Sequence, residues 1–257
     1  MGKVSLSLLS GVLFACNGAT DDNPMDVGGR DNDVFDPGDA DIDVDTDSDA
    51  DADADADSDA DVDTKVIDPD NLLTNVGFER DNGSTPAQPN HWLVFPKGLT
   101  NFESQYTGDA IFNSTNTFAA RTGTGGVKVF GLFTGSENET PLYQEFHDVV
   151  EGDSYTLSAW AITHSNDNLQ GSSEAFVSIK FFDAGFNFFG SADSATVIDN
   201  STPVDTWTEL TVTGTVPAGA TIIQAALEYF QCRDDMSGSC FDEGSVYFDD
   251  ARFVLNP

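Results

Sequence analysis

Aspartate occupies every odd position from Asp39 to Asp63. In an extended chain residues i and i+2 point the same way, so these side chains form one like-charged rail with a carboxylate every ~6.8 Å. That spacing lies inside the ~8 Å Debye length of physiological salt, so repulsion is only partly screened and favours extension. The segment also lacks the apolar surface needed to offset the entropy of ordering. Two readings compete, a calcium-binding array and a spacer. Calcium loops of the EF-hand kind begin D-x-D-x-D as well, but they require glycine at the sixth position and a bidentate glutamate at the twelfth. The run contains neither Gly nor Glu, and a straight rail cannot wrap a cation with six or more oxygens. The run is read as a spacer.

This spacer separates two unlike parts of a 257-residue chain. Residues 16–70 hold 21 of the 45 acids against Arg30 and Lys65, a net charge of −19; residues 71–257 carry −17. A total of −35 argues against nucleic acid as a partner, because phosphate backbones need a basic surface. The acidic front cannot build a core. The remainder, about 187 residues, has the aromatic and β-branched residues that one domain of ordinary size requires.

At the other end, residues 1–16 carry one base (Lys3), an apolar run from Val4 to Phe14, and a small residue before Cys16. This is the layout of a secretory signal, and the run is too short to span a membrane. Leu13-Phe14-Ala15-Cys16 resembles the bacterial lipobox, which implies lipidation of Cys16 and a lipid-anchored envelope protein. Asn17 after the cysteine resembles the sorting signal for the outer membrane. The expected organisation is a lipoprotein signal peptide over 1–16, a disordered Asp-rich linker over 17–70 and a folded domain over 71–257. From Cys16 to Asp70 the linker could reach on the order of 180 Å.

From Asn71 onward hydrophobicity alternates with period two and turn residues recur at short intervals, which predicts an all-β sandwich. The expected strands are Leu72–Glu79, His91–Phe95, Gly126–Phe133, Leu142–Val149, Ser154–Thr163, Ala175–Phe182, Trp207–Val216, Ile222–Phe230 and Val246–Phe253. Between them lie turn signals such as Asp81-Asn82-Gly83 and Pro217-Ala218-Gly219.

Four stretches carry a family resemblance: 71–79 (NLLTNVGFE), 152–160 (GDSYTLSAW), 206–219 (TWTELTVTGTVPAG) and 245–253 (SVYFDDARF). In this order and spacing the chain resembles carbohydrate-binding modules of the family 4/9/22 group. That implies a galactose-binding-like jelly roll over nearly all of 71–257. It also implies a structural calcium ion where the opening strand meets the closing one, at Glu79 and one of Asp249 and Asp250. Alternation favours Asp249, which shares parity with Ala251 and Phe253 and is expected to point inward. A buried carboxylate needs a partner, either a hard cation or loop amides.

Sugar recognition needs aromatic faces for the ring and acids or amides for the hydroxyls. In Ser154–Thr163 the apolar set is Tyr155, Leu157, Ala159 and Ala161, leaving Trp160 on the polar face as the leading stacking platform. In the 222–230 strand, Gln224 and Glu228 oppose the core set and are expected to meet the hydroxyls. Lys180 and Phe182 share a face and could join them, and Tyr143 is a further candidate. Trp92 is expected in the core and Trp207 in packing.

Cys232 and Cys240 flank a hairpin-like loop and are expected to form a disulfide in an oxidising compartment. Catalytic signals are weak. His91, His147 and His164 lack metal-ligand spacing, no nucleophile motif occurs, and Glu137 and Glu139 read as solvated loop acids. The expectation is a noncatalytic, monomeric glycan-binding lipoprotein. Its rivals are an adhesive or structural envelope protein with protein partners and, further off, a jelly-roll polysaccharide-degrading enzyme.

Overall fold

Period-two alternation places Ala175, Val177, Ile179 and Phe181 on one side of a strand and Phe176, Ser178, Lys180 and Phe182 on the other. Burial follows that division for the first set, which joins the main core. A computed structural model describes residues 68–85, 87–95 and 101–256. The signal segment, Cys16 and the Asp39–Asp63 rail lie outside the described residues.

The strands are β1 (Leu93–Val94), β2 (Phe102–Tyr106), β3 (Gly125–Phe130), β4 (Asn138–Glu139), β5 (Leu142–His147), β6 (Ser154–Ile162), β7 (Glu174–Phe182), β8 (Phe188–Asp193), β9 (Thr208–Thr215), β10 (Ile222–Gln231) and β11 (Ser245–Asn256). They form two antiparallel sheets. One has the order β1-β5-β10-β7-β8, with β4 also on β10; the other is β2-β3-β11-β6-β9. Strands β5, β6, β7 and again β9, β10, β11 alternate between the sheets, so the domain is an all-β jelly-roll sandwich. Val127, Val129, Leu157 and Phe248 of one sheet pack on Val177, Ile179, Ile223 and Leu227 of the other.

Three expectations change. Residues 72–79 do not form a strand: Asn75 and Phe78 sit at φ +50° and +56°, in the left-handed region that breaks a ladder. The stretch still lies along β11 through Leu72 N–H to Phe253 O (2.8 Å) and Ala251 N–H to Val76 O (2.9 Å). Phe78 is turned onto Trp92, ring centroids 5.1 Å apart, and Trp92 is a core residue as expected.

Strands β2, β4 and β8 fall outside the expected set. Strand β8 is exposed or half-buried along its whole length, so no apolar face marks it in the sequence. Glu139, read as a solvated loop acid, belongs to β4 and pairs with Lys180.

Asp249 does not share the inward facing of Ala251 and Phe253 that strict alternation predicts. A bulge between Asp249 and Arg252, with Asp250 at φ +51°, shifts the phase of β11. Phe248, Ala251 and Phe253 face the core, whereas Asp249 lies opposite Trp160 on the outer face. Asp249 is nonetheless wholly buried, because loop 121–124 covers it.

The Cys232–Cys240 disulfide forms, closing a short loop between β10 and β11.

Candidate ligand-binding groove

Outward-facing residues of β5, β7 and β10 converge on the solvent side of the first sheet. Register pairs Gln224 with Lys180 and with Glu145, and Ala226 with Tyr143. Tyr143, Lys180, Gln224 and Glu228 therefore line one groove of about 720 Å³. That lies within the ~300–1,000 Å³ usual for small-molecule sites.

Lys180 organises the polar floor. Its ammonium stands 2.6 Å from Glu139 Oε1 and 2.9 Å from Glu228 Oε1. Glu228 is wholly buried, and its Oε2 accepts no hydrogen bond from the described residues. Burial pushes the Glu228 carboxyl up to about 8; Lys180 opposes the shift and Glu139 reinforces it. Burial draws the Lys180 ammonium down, but the two carboxylates outweigh it and its pKa is raised. Beside this triad, Gln224 donates from Nε2 to Glu145 Oε2 at 3.0 Å, and His147 lies 2.8 Å from Glu145 Oε1.

Aromatic rings frame the floor. Phe95, Phe186 and Phe188 are 65%, 54% and 57% exposed, and all three line the groove. The β7–β8 hairpin tip that carries two of them is tied down by Asp183. Its Oδ1 accepts from Gly185 N–H at 2.8 Å and from Asn187 N–H at 3.0 Å. Phe188 packs on Phe182, 5.6 Å between centroids. At the far end Phe176 and Phe230 stack in parallel at 5.7 Å, and the Arg233 guanidinium covers Phe230 at 4.5 Å while pairing with Glu174.

Phe95, Phe176, Phe186, Phe188, Phe230 and Glu139 are what sequence reasoning missed; Phe182 was among the candidates. Phe176 and Phe230 share parity with Lys180 and Glu228, so alternation alone marked them as outward-facing. The hairpin phenylalanines left no such mark.

Trp160 does not belong to this groove. Its side chain faces away from the core as expected, but β6 lies in the other sheet. The Arg121 guanidinium, which also pairs with Asp250, covers the ring at 3.8 Å to the centroid. The face reserved for a sugar is occupied by a cation of the protein itself. Trp207 packs against the small cluster of Ile111, Phe118, Ile162 and Tyr247, as a packing residue.

Glu79 and Asp249, far apart in the chain, meet the same loop. Asp249 Oδ2 accepts from the backbone amides of Arg121 (2.9 Å) and Thr122 (3.0 Å). Glu79 Oε2 accepts from the Thr124 amide (3.0 Å) and hydroxyl (2.8 Å). Between them Gly123 sits at φ +65°, a conformation that favours glycine, and a Cβ there would fall 1.9 Å from Glu79 Oε1 and push that carboxylate from its place. Loop amides thus hold both acids. The Asp250 amide also donates to Asp249 Oδ1 at 2.6 Å, and both carboxylates are hard oxygen donors of the kind calcium takes. Among the described residues the cluster of three potential metal ligands is Cys232, Cys240 and Asp242, and both its sulfurs are joined in the disulfide.

No protein-family model and no curated protein matches the chain. Several solved structures share its general build. One is TmCBM61 in complex with β-1,4-galactotriose, at 16% identity and TM-score 0.40 over 71% of this chain and 97% of that one. Another is the CBM22-1 xylan-binding domain of Paenibacillus barcinonensis Xyn10C, at 11% and 0.43 over 70% and 91%. A third is the enzymatically active domain of bacteriophage CBA120 tailspike protein 4, at 16% and 0.42 over 72% of this chain. The chain spans only 21% of that tailspike structure. These are likenesses of build, and build alone does not assign a ligand.

Proposed function

We propose that the groove binds a segment of a neutral polysaccharide without cleaving it. The observation that carries this reading is the pairing of exposed Phe95, Phe186 and Phe188 with a polar floor of Lys180, Gln224 and the buried Glu228. Aromatic faces suit the apolar sides of pyranose rings, and a fixed set of donors and acceptors suits their hydroxyls. Lys180 is already matched by two carboxylates, and Glu145 and Asp193 add further acid to the walls. An anionic glycan would therefore meet net repulsion.

Glu139 and Glu228 both lie within 3 Å of one ammonium. A glycosidase needs its two carboxyls to flank the scissile bond; here Lys180 stands between them and Glu228 is wholly buried, which favours binding over hydrolysis.

In this reading the domain is a monomeric head. It is displayed at the outer membrane of a bacterial envelope by a lipid on Cys16 and the Asp-rich spacer. A calcium ion held by Glu79 and Asp249 stiffens the domain; Glu79 and Asp249 would supply carboxylate oxygens and the ion would supply charge neutralisation. The deciding experiment is a neutral and acidic glycan array probed with the full chain and with Phe188→Ala, with and without calcium. Binding confined to neutral glycans and weakened about tenfold by Phe188→Ala, equivalent to about 1.4 kcal/mol, is the expected result. No glycan retained in either condition would favour the adhesive reading, in which the same surface meets a protein. Release of reducing ends from a bound polysaccharide would restore the enzyme.

A further inference from the structure

We propose a second saccharide site, on the outer face of the other sheet, which makes the domain a cross-linker of glycan chains. Lys128 and Phe130 of β3 point away from the core-facing Val127 and Val129. With the loops that follow β2 and β6, they enclose a pocket of about 350 Å³. That is the small end of the range for ligand sites and fits one or two sugar rings rather than a chain.

The floor of this pocket is a buried ion pair. Lys128 Nζ stands 3.0 Å from Asp167 Oδ2, with side chains 10% and 8% exposed. An ammonium has three donors, and Asp167 takes one; the remainder are held among the rings of Phe112, Phe130 and Tyr247, 5.1 to 5.7 Å away. The mouth is aromatic: Phe112 is 58% and Phe133 45% exposed. Phe133 is held at φ +54°, a conformation that costs a bulky L-residue roughly 1–2 kcal/mol. Its amide donates at 2.8 Å to Oε1 of the wholly buried Gln231, which fixes the ring at the rim. Strain of this kind persists only where surrounding structure enforces it.

Around the rings, the side-chain amides of Asn113 and Gln170 reach the pocket and make no hydrogen bond to the described residues. The remaining charges there, Glu103 and Glu243, are acidic. Exposed rings, unengaged amides and a neutralised cation fit a short neutral saccharide and repel an anion. The groove opens on β5, β7 and β10, and this pocket on β3 and β11, with the core between them. One domain can therefore hold two glycans on opposite faces. The cross-linking role rests on the groove reading; the pocket does not.

Calorimetric titration of the full chain with xylotetraose, cellotetraose and β-1,4-galactotriose tests this, alongside turbidity on mixing with xylan, β-glucan and β-1,4-galactan. The wild type should take up two equivalents of a bound oligosaccharide and cloud the matching polysaccharide. Phe112→Ala/Gln170→Ala and Phe188→Ala/Gln224→Ala should each retain one equivalent and stay clear. The first pair alters only exposed side chains, and an unchanged Tm checks the fold. One equivalent in the wild type, unmoved by the Phe112/Gln170 changes, overturns the second site. Binding lost with those changes but unmoved by the Phe188/Gln224 changes overturns the groove and the cross-linking while leaving the pocket. Uptake of no neutral sugar at all overturns both sites.

Discussion

Lys180 bridges Glu228, a carboxylate with no solvent exposure, and Glu139, a partly exposed one, at 2.9 and 2.6 Å. The consequence is a groove floor whose charge balances while Glu228 holds its proton and turns negative once the proton leaves.

Glu228 gives the first prediction. Its folded pKa, about 8, exceeds the ordinary 4.5. The folded state therefore keeps a proton that the unfolded state releases. Its stabilising effect is complete below about 4.5 and is lost as pH rises toward about 8. Glu228→Gln lacks this dependence. The difference in Tm, wild type minus variant, should fall steadily from pH 5 to pH 8 in thermal melts; a difference that stays flat would show that Glu228 is ionised throughout.

Trp160→Ala should damage stability and spare groove binding. The ring holds Arg121 by a cation–π contact worth ~1–2 kcal/mol. That corresponds to a Tm decrease of roughly 2–8 °C for a domain of this size. Glycan affinity measured alongside should stay within about twofold, and a large loss would return Trp160 to the binding surface.

Calcium should stabilise the domain through Glu79 and Asp249. A ligand at 100 times its Kd adds about 2.7 kcal/mol, so millimolar calcium should raise the Tm by roughly 5–10 °C over chelator. Asp249→Asn should erase the response. Identical melts in calcium and chelator, with no metal found by elemental analysis, would show that backbone amides, those of Arg121, Thr122 and Asp250 among them, hold Asp249 without an ion.

The disulfide closes a separation of eight residues, for which chain entropy predicts about 2.5 kcal/mol. Cys232→Ser/Cys240→Ser should lower the Tm by roughly 5–10 °C. Because Arg233 follows Cys232 and covers Phe230, groove affinity should weaken too. Retained affinity in the double variant would show that stacking holds Arg233 without the bridge.

Alternation along single strands was legible from residues alone. It separated Tyr155, Leu157 and Ala159 from Trp160, and Ile223 and Leu227 from Gln224 and Glu228, because the pleat fixes side-chain direction with period two. Trp92 in the core followed from the family resemblance and the usual burial of Trp, and the Cys232–Cys240 pairing from two cysteines flanking a short loop. The same rule failed at Asp249, because one inserted residue shifts the phase and a bulge leaves no clear sign in composition. It also gave no sign of β8, which has no fully buried residue and sends only the small Ala192 toward the core.

What the sequence determined by itself was local: the strand periods and which residues turn outward. Only the tertiary structure decided which outward faces meet. Trp160, Gln224 and Glu228 had equal claims to one groove until sheet order placed β6 on one side of the core and β5, β7 and β10 on the other. Strand pairing depends on contacts far apart in the chain, and no local pattern encodes which sheet a strand will join.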